Sequence, residues 1–268
     1  MKRKKDSLFW LGVVYLVGLL LLILIYPFVG ADPEKMAVKP WLGPGEGMLL
    51  GSDQLGRDVF ARLVHGAANS LKIGFAVQGL SLLVGVIIGS IGVFAPRWIG
   101  NAVMRFTDGM FAFPDLLLAT LIIAVKGPGF DAVIIALSVT SWPSIARIVF
   151  TQVSSLKDRE FVIAAKAMGA STPYSIMKHI LPQIYGILLA VSVVDLAATI
   201  LAESTLSFLG IGIRPPAPSL GNMIDMFRLN MNAHPVHLIW PCLALSITIF
   251  ALNFVGDGLR WRLDPRNR

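Results

Sequence analysis

The sequence predicts an all-α, polytopic membrane protein with six transmembrane helices and both termini in the cytoplasm. Three observations support this prediction: the composition, a set of long apolar runs, and the placement of lysine and arginine. Of the 268 residues, 55% are hydrophobic and 15% are charged, and the mean hydropathy is +0.72. Soluble domains usually carry about 25% charged residues, so a water-soluble globule is disfavoured.

The spans follow from the lengths of the apolar runs. A helix needs about 20 apolar residues to cross the hydrocarbon core, because its backbone hydrogen bonds must all close within the segment. Three charge-free runs of 25, 24 and 28 residues meet this requirement: 7–31, 73–96 and 229–256. Three more apolar segments contain one or two charged residues and complete the set of six: 109–125, 132–150 and 184–209.

The first apolar run also fits a second interpretation. A basic start followed by an apolar segment describes a secretory signal peptide, and residues 29–31 (Val-Gly-Ala) loosely resemble a cleavage site. The apolar core over residues 8–29 is longer than the roughly 7 to 15 residues typical of a signal peptide. We therefore interpret it as an uncleaved first span.

The orientation follows from the distribution of positive charge. Lysine and arginine in short connections are retained on the cytoplasmic side. Fifteen of the 23 lie in the N-terminal tail, after the second span, at 147–178 and in the C-terminal tail. The net charge of +7 is spread between apolar runs, without the dense basic stripe of a nucleic-acid site. We expect contact with anionic lipid headgroups and no nucleic acid.

The predicted organisation has four regions. They are an N-terminal tail with the first helix (1–31), an extracytoplasmic loop (32–69), a transmembrane domain (70–257) and a cytoplasmic tail (258–268). The second half of the loop predicts a short interfacial helix, with Leu55, Val59 and Leu63 on one side and Arg57 and Arg62 on the other.

A polar insert at residues 154–182 of the transmembrane domain faces the cytoplasm in this scheme. It predicts two short helices, the first capped by Ser155 with Asp158 and ended by Gly169 in a left-handed conformation. Its small residues, including Ala164 and Ala165, permit close approach of another backbone. They are equally consistent with a helix that docks in the groove of a partner protein and with a helix that packs on its own chain.

The insert resembles a signature of the permeases of bacterial ATP-binding-cassette importers. That signature has a Glu-Ala-Ala triplet, a glycine four residues after the second alanine, and a Leu-Pro ending. The insert matches this signature at Ala164, Ala165 and Gly169 and at the Leu-Pro pair 181–182. It departs from it at Ile163, which stands in place of the glutamate. Glu160 lies one helical turn earlier.

Further segments resemble the peptide and nickel branch of these permeases, and within it the dipeptide or oligopeptide permease C type of subunit. They are LGSDQLGRDVFARLVHGAANSL from residue 50, MRFTDGMFAFPDLLLA from 104, ESTLSFLGIGIRPPAPSLGNMI from 203 and NFVGDGLRWRLDPR from 253. The resemblance covers nearly the whole chain from residue 50 onward.

The resemblance implies a type I importer fold and a defined set of partners in a bacterial inner membrane. A homologous permease would complete the pathway, two cytoplasmic ATP-binding subunits would grip the insert, and an extracytoplasmic binding protein would deliver di- or oligopeptides. It also implies that Glu160, Ala164, Ala165 and Gly169 couple the chain to the ATPases. Because the chain lacks a Gly-rich loop ending in Gly-Lys-Ser/Thr, we expect a non-catalytic subunit without a cofactor.

Two carboxylates in the fifth predicted span are further candidates. Asp195 and Glu203 are eight residues apart, so they lie about two turns apart on nearly the same helix face. A carboxylate that faces lipid is costly. We therefore expect these residues either to line the pathway or to lie at the seam between subunits.

No catalytic or metal site is predicted. The single cysteine, Cys242, excludes an intrachain disulfide and a cysteine-based zinc cluster. His234 and His237 lack nearby carboxylate or cysteine ligands, so a hydrated pair at the membrane interface is the better interpretation.

Three alternative functions remain open. Nickel or metal chelates are an alternative cargo within the same family. A stand-alone secondary transporter is a second class. An intramembrane serine protease is a third, because Ser171 lies in a Gly-Ala-Ser-Thr sequence, but its polar surroundings and the following Thr-Pro pair disfavour a nucleophile.

Overall fold

The chain is helical throughout the part that the structure describes. The computed structural model describes residues 2–36, 38–45 and 48–263, with side chains from Asp6 onward. In these ranges no strand forms, and one isolated bridge joins Ser52 and Asp58. The helices are α1 (Lys2–Val29), α2 (Val59–Phe94), α3 (Arg97–Met110), α4 (Asp115–Lys126), α5 (Phe130–Leu156), α6 (Glu160–Ala167), α7 (Thr172–Ser175), α8 (Leu181–Phe208), α9 (Leu220–Arg228) and α10 (Pro235–Leu263).

Five of the described helices are long and apolar enough to cross a membrane: α1, α2, α5, α8 and α10. The prediction of an all-α polytopic protein is confirmed. The third predicted span, residues 109–125, is wrong as a continuous helix, because α3 and α4 are bent by 91° at the break. Pro114 lacks a backbone N–H and restricts Phe113 to extended conformations, so α3 ends at Met110. The total reaches six when this bent pair is counted as one crossing.

Helix α2 is longer than the sequence predicted. It runs for 36 residues from Val59, and the Asp58 carboxylate caps it by accepting hydrogen bonds from the N–H groups of Phe60 and Ala61. The prediction of a separate interfacial helix in loop 32–69 is therefore wrong. Its residues form the first turns of α2, because the helix continues unbroken to Phe94.

Helices α2 and α5 pack closely along glycine positions of α2. A Cβ added to Gly85 would lie 2.7 Å from Cγ2 of Ile145, and one added to Gly89 would lie 2.6 Å from the carbonyl oxygen of Ala146. The order of these contacts shows that the two helices run in the same direction. The chain between α2 and α5 therefore has to return in the opposite direction, and it does so as the bent pair α3 and α4.

The insert differs in detail from its prediction. Ser155 lies within the last turn of α5, where its hydroxyl donates to the Gln152 carbonyl, so the predicted cap with Asp158 does not form. Arg159 precedes α6 without a side-chain cap. Helix α7 passes through a π-helical turn (Ile176–Ile180) into α8, with Pro182 in the first turn of α8.

The two ends of the described chain lie side by side. Arg262 forms an ion pair of 3.0 Å with Asp6, and the Tyr15 hydroxyl is 2.9 Å from that of Thr248. Helix α10 extends to Leu263, so the first part of the predicted tail 258–268 continues the last span. Residues 264–268 lie outside the described residues.

We expect Gly89→Ala to lower the thermal unfolding midpoint in detergent. Its Cβ would push against the backbone of α5, and overpacking of this kind costs about 1–3 kcal/mol. Gly79→Ala is the matched control, because that Cβ meets nothing within 4 Å. Equal midpoints for the two variants would contradict the close α2–α5 contact.

Candidate functional site

Helix α6 has one buried face and one exposed face. Val162 is 0% exposed and Ala165 is 3% exposed. Val162 packs in a buried cluster supplied by α5, α6, the π-helical turn and α8: Ile145, Val149, Val153, Val162, Ile180 and Ile184. The Lys166 amine lies 5.1 Å from the centre of the Phe94 ring at the end of α2. Helix α6 is therefore attached to the ends of several spanning helices.

The exposed face of α6 carries three of the four residues predicted to couple the chain to a partner. Glu160, Ala164 and Gly169 are exposed, whereas Ala165 points into the chain. Ala165 therefore positions the helix and does not present a contact surface.

The exposed face also contains large apolar residues that the sequence analysis missed. Phe161, Ile163 and Met168 are 40%, 55% and 82% exposed. The three-residue spacing of Val162 and Ala165 is the signal that could have located them, because it defines the buried face of the helix. Phe161 and Ile163 are two residues apart and therefore flank the buried face on opposite sides, and Met168 follows the end of α6. Exposed apolar surface around one short helix is typical of a protein interaction surface.

The connection after α6 depends on Gly169. Its φ of +89° confirms the predicted left-handed end of the helix. Ser171 then caps α7 by accepting a hydrogen bond of 3.4 Å from the Tyr174 N–H. Its hydroxyl thus has a local structural partner and lies on an exposed turn.

Asp195 lines a cavity of about 380 Å³ between α4, α5 and α8, in which a few polar groups lie among apolar side chains. The residue stands at the midpoint of α8, 14 residues after Leu181 and 13 before Phe208. Thr140, Ser141 and Ser144 line the cavity from the middle of α5, and Phe111 and Asp115 line it at the break between α3 and α4. The remaining lining residues are Leu116, Leu137, Ala198, Thr199, Leu201, Ala202 and Thr205.

The Asp195 carboxylate has no hydrogen bond or ion pair within the part of the chain that the structure describes. Arg260 of α10 is close enough to act on it electrostatically but does not form an ion pair with it. Near the same break, Asp108 of α3 is ion-paired with Arg147 of α5. Asp108 thus has an ion-pair partner within the chain, whereas Asp195 lines the cavity without one among the described residues.

Glu203 has a different environment, although it is on the same helix. Its carboxylate is 0% exposed and accepts hydrogen bonds from four serine hydroxyls. The donors are Ser70 at 2.6 Å, Ser204 at 3.4 Å, Ser207 at 2.9 Å and Ser219 at 3.0 Å. These serines come from α2, α8 and the start of α9, so Glu203 joins these elements within the chain. Its hydroxyl partners, not a pathway, account for its burial.

A second buried charge cluster ties the loop before α2 to the rest of the fold. Asp53 accepts from the Arg57 Nε at 2.7 Å and lies 3.5 Å from the Arg62 Nε. Arg62 also donates to the carbonyl oxygens of Pro33 and Pro216. All three charged side chains are at most 6% exposed, so this part of the LGSDQLGRD segment is structural.

The two histidines beside the last span pack on an aromatic ring. His234 stacks on Trp41 with the ring centres 4.3 Å apart, and His237 meets the same ring edge-on at 5.5 Å. Within residues 2–36, 38–45 and 48–263, no group of three metal-ligating side chains converges.

Comparison with known proteins identifies the family. Residues 81–268 match the family of binding-protein-dependent transport system inner membrane components. The chain belongs to this family. It is accordingly a multi-pass inner-membrane permease, as the sequence resemblance implied.

The similar curated proteins cover the full chain. It is 36% identical over 270 residues to the dipeptide transport system permease protein DppC of Bacillus subtilis (strain 168), a match that covers 100% of this chain and 84% of the relative. It is 35% identical over 273 residues to the oligopeptide transport system permease protein OppC of the same organism, covering 100% and 88%. The di/tripeptide transport system permease protein DppC of Pseudomonas aeruginosa (strain UCBPP-PA14) is 34% identical over 263 residues, covering 95% and 87%.

A solved structure shares the fold. A chain of the inward-facing MetNI methionine ABC transporter aligns with a TM-score of 0.61 at 19% identity, covering 75% of this chain and 95% of that chain. At this identity the likeness concerns the fold alone. The predicted type I importer transmembrane fold is confirmed.

We expect Asp53→Ala to destabilise the protein strongly. Removing the carboxylate leaves two buried guanidinium groups without their partner, a change that costs about 3–5 kcal/mol. The measurement is the unfolding midpoint of the purified protein in detergent. Asp225→Ala is the control, because the 2.8 Å pair of Asp225 with Arg228 is exposed and such pairs contribute about 0–1 kcal/mol. An equal loss in both variants would argue against a structural role for the buried cluster.

Proposed function

We propose that this permease pairs with a second, homologous permease to form the membrane pathway of an ATP-driven peptide importer. Two cytoplasmic ATP-binding subunits dock on α6, and an extracytoplasmic binding protein delivers the cargo. The observation that carries the proposal is the two-sided α6, which is anchored in the chain by Val162 and Ala165 and offers small and apolar residues on its outer face. Such a helix transmits the movement of a bound partner to the spans as a rigid element.

The proposed orientation places α6 and both termini in the cytoplasm. Helix α6 contacts the C-terminal end of α2 through Phe94 and the end of α5 through Val153. Leu263, at the end of α10, lies beside Gly186 near the start of α8, and Arg262 pairs with Asp6. These ends also carry the excess of lysine and arginine, which supports a cytoplasmic location.

The proposed cargo is a di- or oligopeptide. This proposal is supported by the relatives, which are named for dipeptide, oligopeptide and di/tripeptide transport. The chain itself is proposed to be non-catalytic, with ATP hydrolysis in the docked subunits. The capping role of Ser171 supports this, because its hydroxyl is engaged with the turn of α7.

The outer face of α6 provides the first test. We expect Ala164→Arg to prevent co-purification of the ATP-binding subunits, because a large cation replaces a small residue that we place against their groove. Ala164→Ser keeps the side chain small and should retain the partner. Membrane insertion should be normal for both variants, since residue 164 is exposed. Normal co-purification with Ala164→Arg would contradict docking at α6.

The left-handed turn at Gly169 provides a second test. A β-branched residue is strained at a φ of +89°, by about 1–2 kcal/mol, so Gly169→Val should misplace α6 and lower ATP-dependent uptake. Asparagine tolerates this conformation, so Gly169→Asn should retain most of the uptake. Uptake and membrane level would be measured together in vesicles. Equal uptake by the two variants would show that the turn is not needed for coupling.

A further inference from the structure

The cavity beside the midpoint of the spanning helix α8 has an unusual set of polar groups. A carboxylate at this depth is unfavourable unless it faces protein or water. Asp195 lies at the centre of α8 and forms no hydrogen bond or ion pair through its carboxylate among the described residues, and Arg260 acts on it only from a longer distance. A group from outside the chain, or water, must therefore face it.

The backbone next to the cavity leads to the same conclusion. Residues 111–114 are exposed and break the helix between α3 and α4. Non-helical backbone at membrane depth is stable only where protein or a water-filled space covers it. The cavity is thus on the face that the second permease of the proposed pair would enclose.

Four hydroxyl groups of the cavity are already committed as donors. Thr199 donates to the carbonyl of Asp195 at 2.9 Å, and Thr205 donates to that of Leu201 at 2.8 Å. On α5, Thr140 and Ser144 donate to backbone carbonyls one turn earlier, each at 3.1 Å. A hydroxyl has a single hydrogen, so only the lone pairs of these oxygens remain for a ligand.

The cavity therefore presents mainly acceptors: the carboxylates of Asp195 and Asp115 and several hydroxyl oxygens. An ammonium group has three donors and no acceptor, so it matches this set, whereas a carboxylate would repel Asp195. The volume of about 380 Å³ falls within the roughly 300–1,000 Å³ of small-molecule sites.

We infer that Asp195 binds the ammonium group of the peptide during its passage through the membrane. The inference rests on the proposed peptide cargo and deepens it by naming a subsite in the pathway. The ammonium can be the amino terminus or a lysine side chain. Asp115, at the rim of the same cavity, adds negative charge but is exposed and is not required for the contact.

The test uses the complete transporter with its binding protein in proteoliposomes, with trialanine and alanyl-lysyl-alanine as cargo. Asp195→Asn keeps the shape and removes the charge, so uptake should fall about tenfold, the effect of losing one hydrogen bond to a charged group. Asp195→Glu should recover part of the uptake. Asp131→Asn is the matched control, because Asp131 is exposed at the start of α5. A loss with trialanine assigns the amino terminus, and a loss confined to the lysine peptide assigns the side chain.

A second arm separates charge from folding. Asp195→Cys, in a Cys242→Ala background, would be treated with methanethiosulfonate reagents that add either a sulfonate or a trimethylammonium group. We expect both reagents to react in the assembled complex, the sulfonate to restore uptake and the trimethylammonium group to lower it further. Restoration by negative charge is not expected of a residue that only packs at a seam.

Several results would overturn the inference. They are unchanged uptake with Asp195→Asn, the same effect of both reagents, or no labelling at all, which would place residue 195 in a closed seam between the permeases. These results would leave the proposed function intact if the unmodified complex still takes up peptide with ATP. Failure of the unmodified complex to move either peptide would overturn the peptide cargo and the inference together.

Discussion

The hydrocarbon interior of a membrane contains no water, so a polar group is stable there only when it has a partner. This chain meets the constraint in three ways. Most backbone groups are satisfied inside long helices. Glu203 is satisfied by serine hydroxyls from its own chain. Asp195 is left facing a cavity, and the backbone at residues 111–114 is interrupted beside it. The first two arrangements complete the fold, and the third requires something outside the chain.

The buried charges on one side of the molecule and the open carboxylate at its centre have different physical roles. Asp53 is enclosed between Arg57 and Arg62, and Arg62 also donates to the Pro216 carbonyl, so the cluster holds the loop before α2 against the segment after α8. They add rigidity around the spans. Asp195 is on the same scaffold without an ion pair among the described residues, and a fixed, partly dehydrated carboxylate is a better ligand than a mobile, hydrated one.

Helix α6 likewise has one face buried in its own chain and one face left exposed. Its inner face is buried against the ends of α5 and α8, and its outer face leaves Phe161, Ile163 and Met168 exposed. The two faces are only a helix diameter apart. A partner that moves the outer face therefore moves the spanning helices, including α8 with the cavity-lining Asp195. In the proposed assembly, this connection would carry ATP-driven movement directly to the cavity that Asp195 lines.

The sequence by itself determined the membrane environment, the helical class, most of the spans and the family. These features depend on local quantities, namely run length, charge content and short motifs, which do not require knowledge of the fold. It also located Asp195 and the left-handed turn at Gly169, because a charge in an apolar run and a glycine after a small-residue helix are visible without contacts.

Only the tertiary structure decided which face each residue presents. Asp195 and Glu203 look alike in the sequence, eight residues apart on one helix, yet one meets a cavity and the other meets four serines from α2, α8 and α9. Three further features were also beyond the sequence: the 91° angle between α3 and α4, the continuation of α2 through the expected interfacial helix, and the inward direction of Ala165. The physical reason is that burial and hydrogen-bond partners come from segments far apart in the chain, and their positions are set by packing.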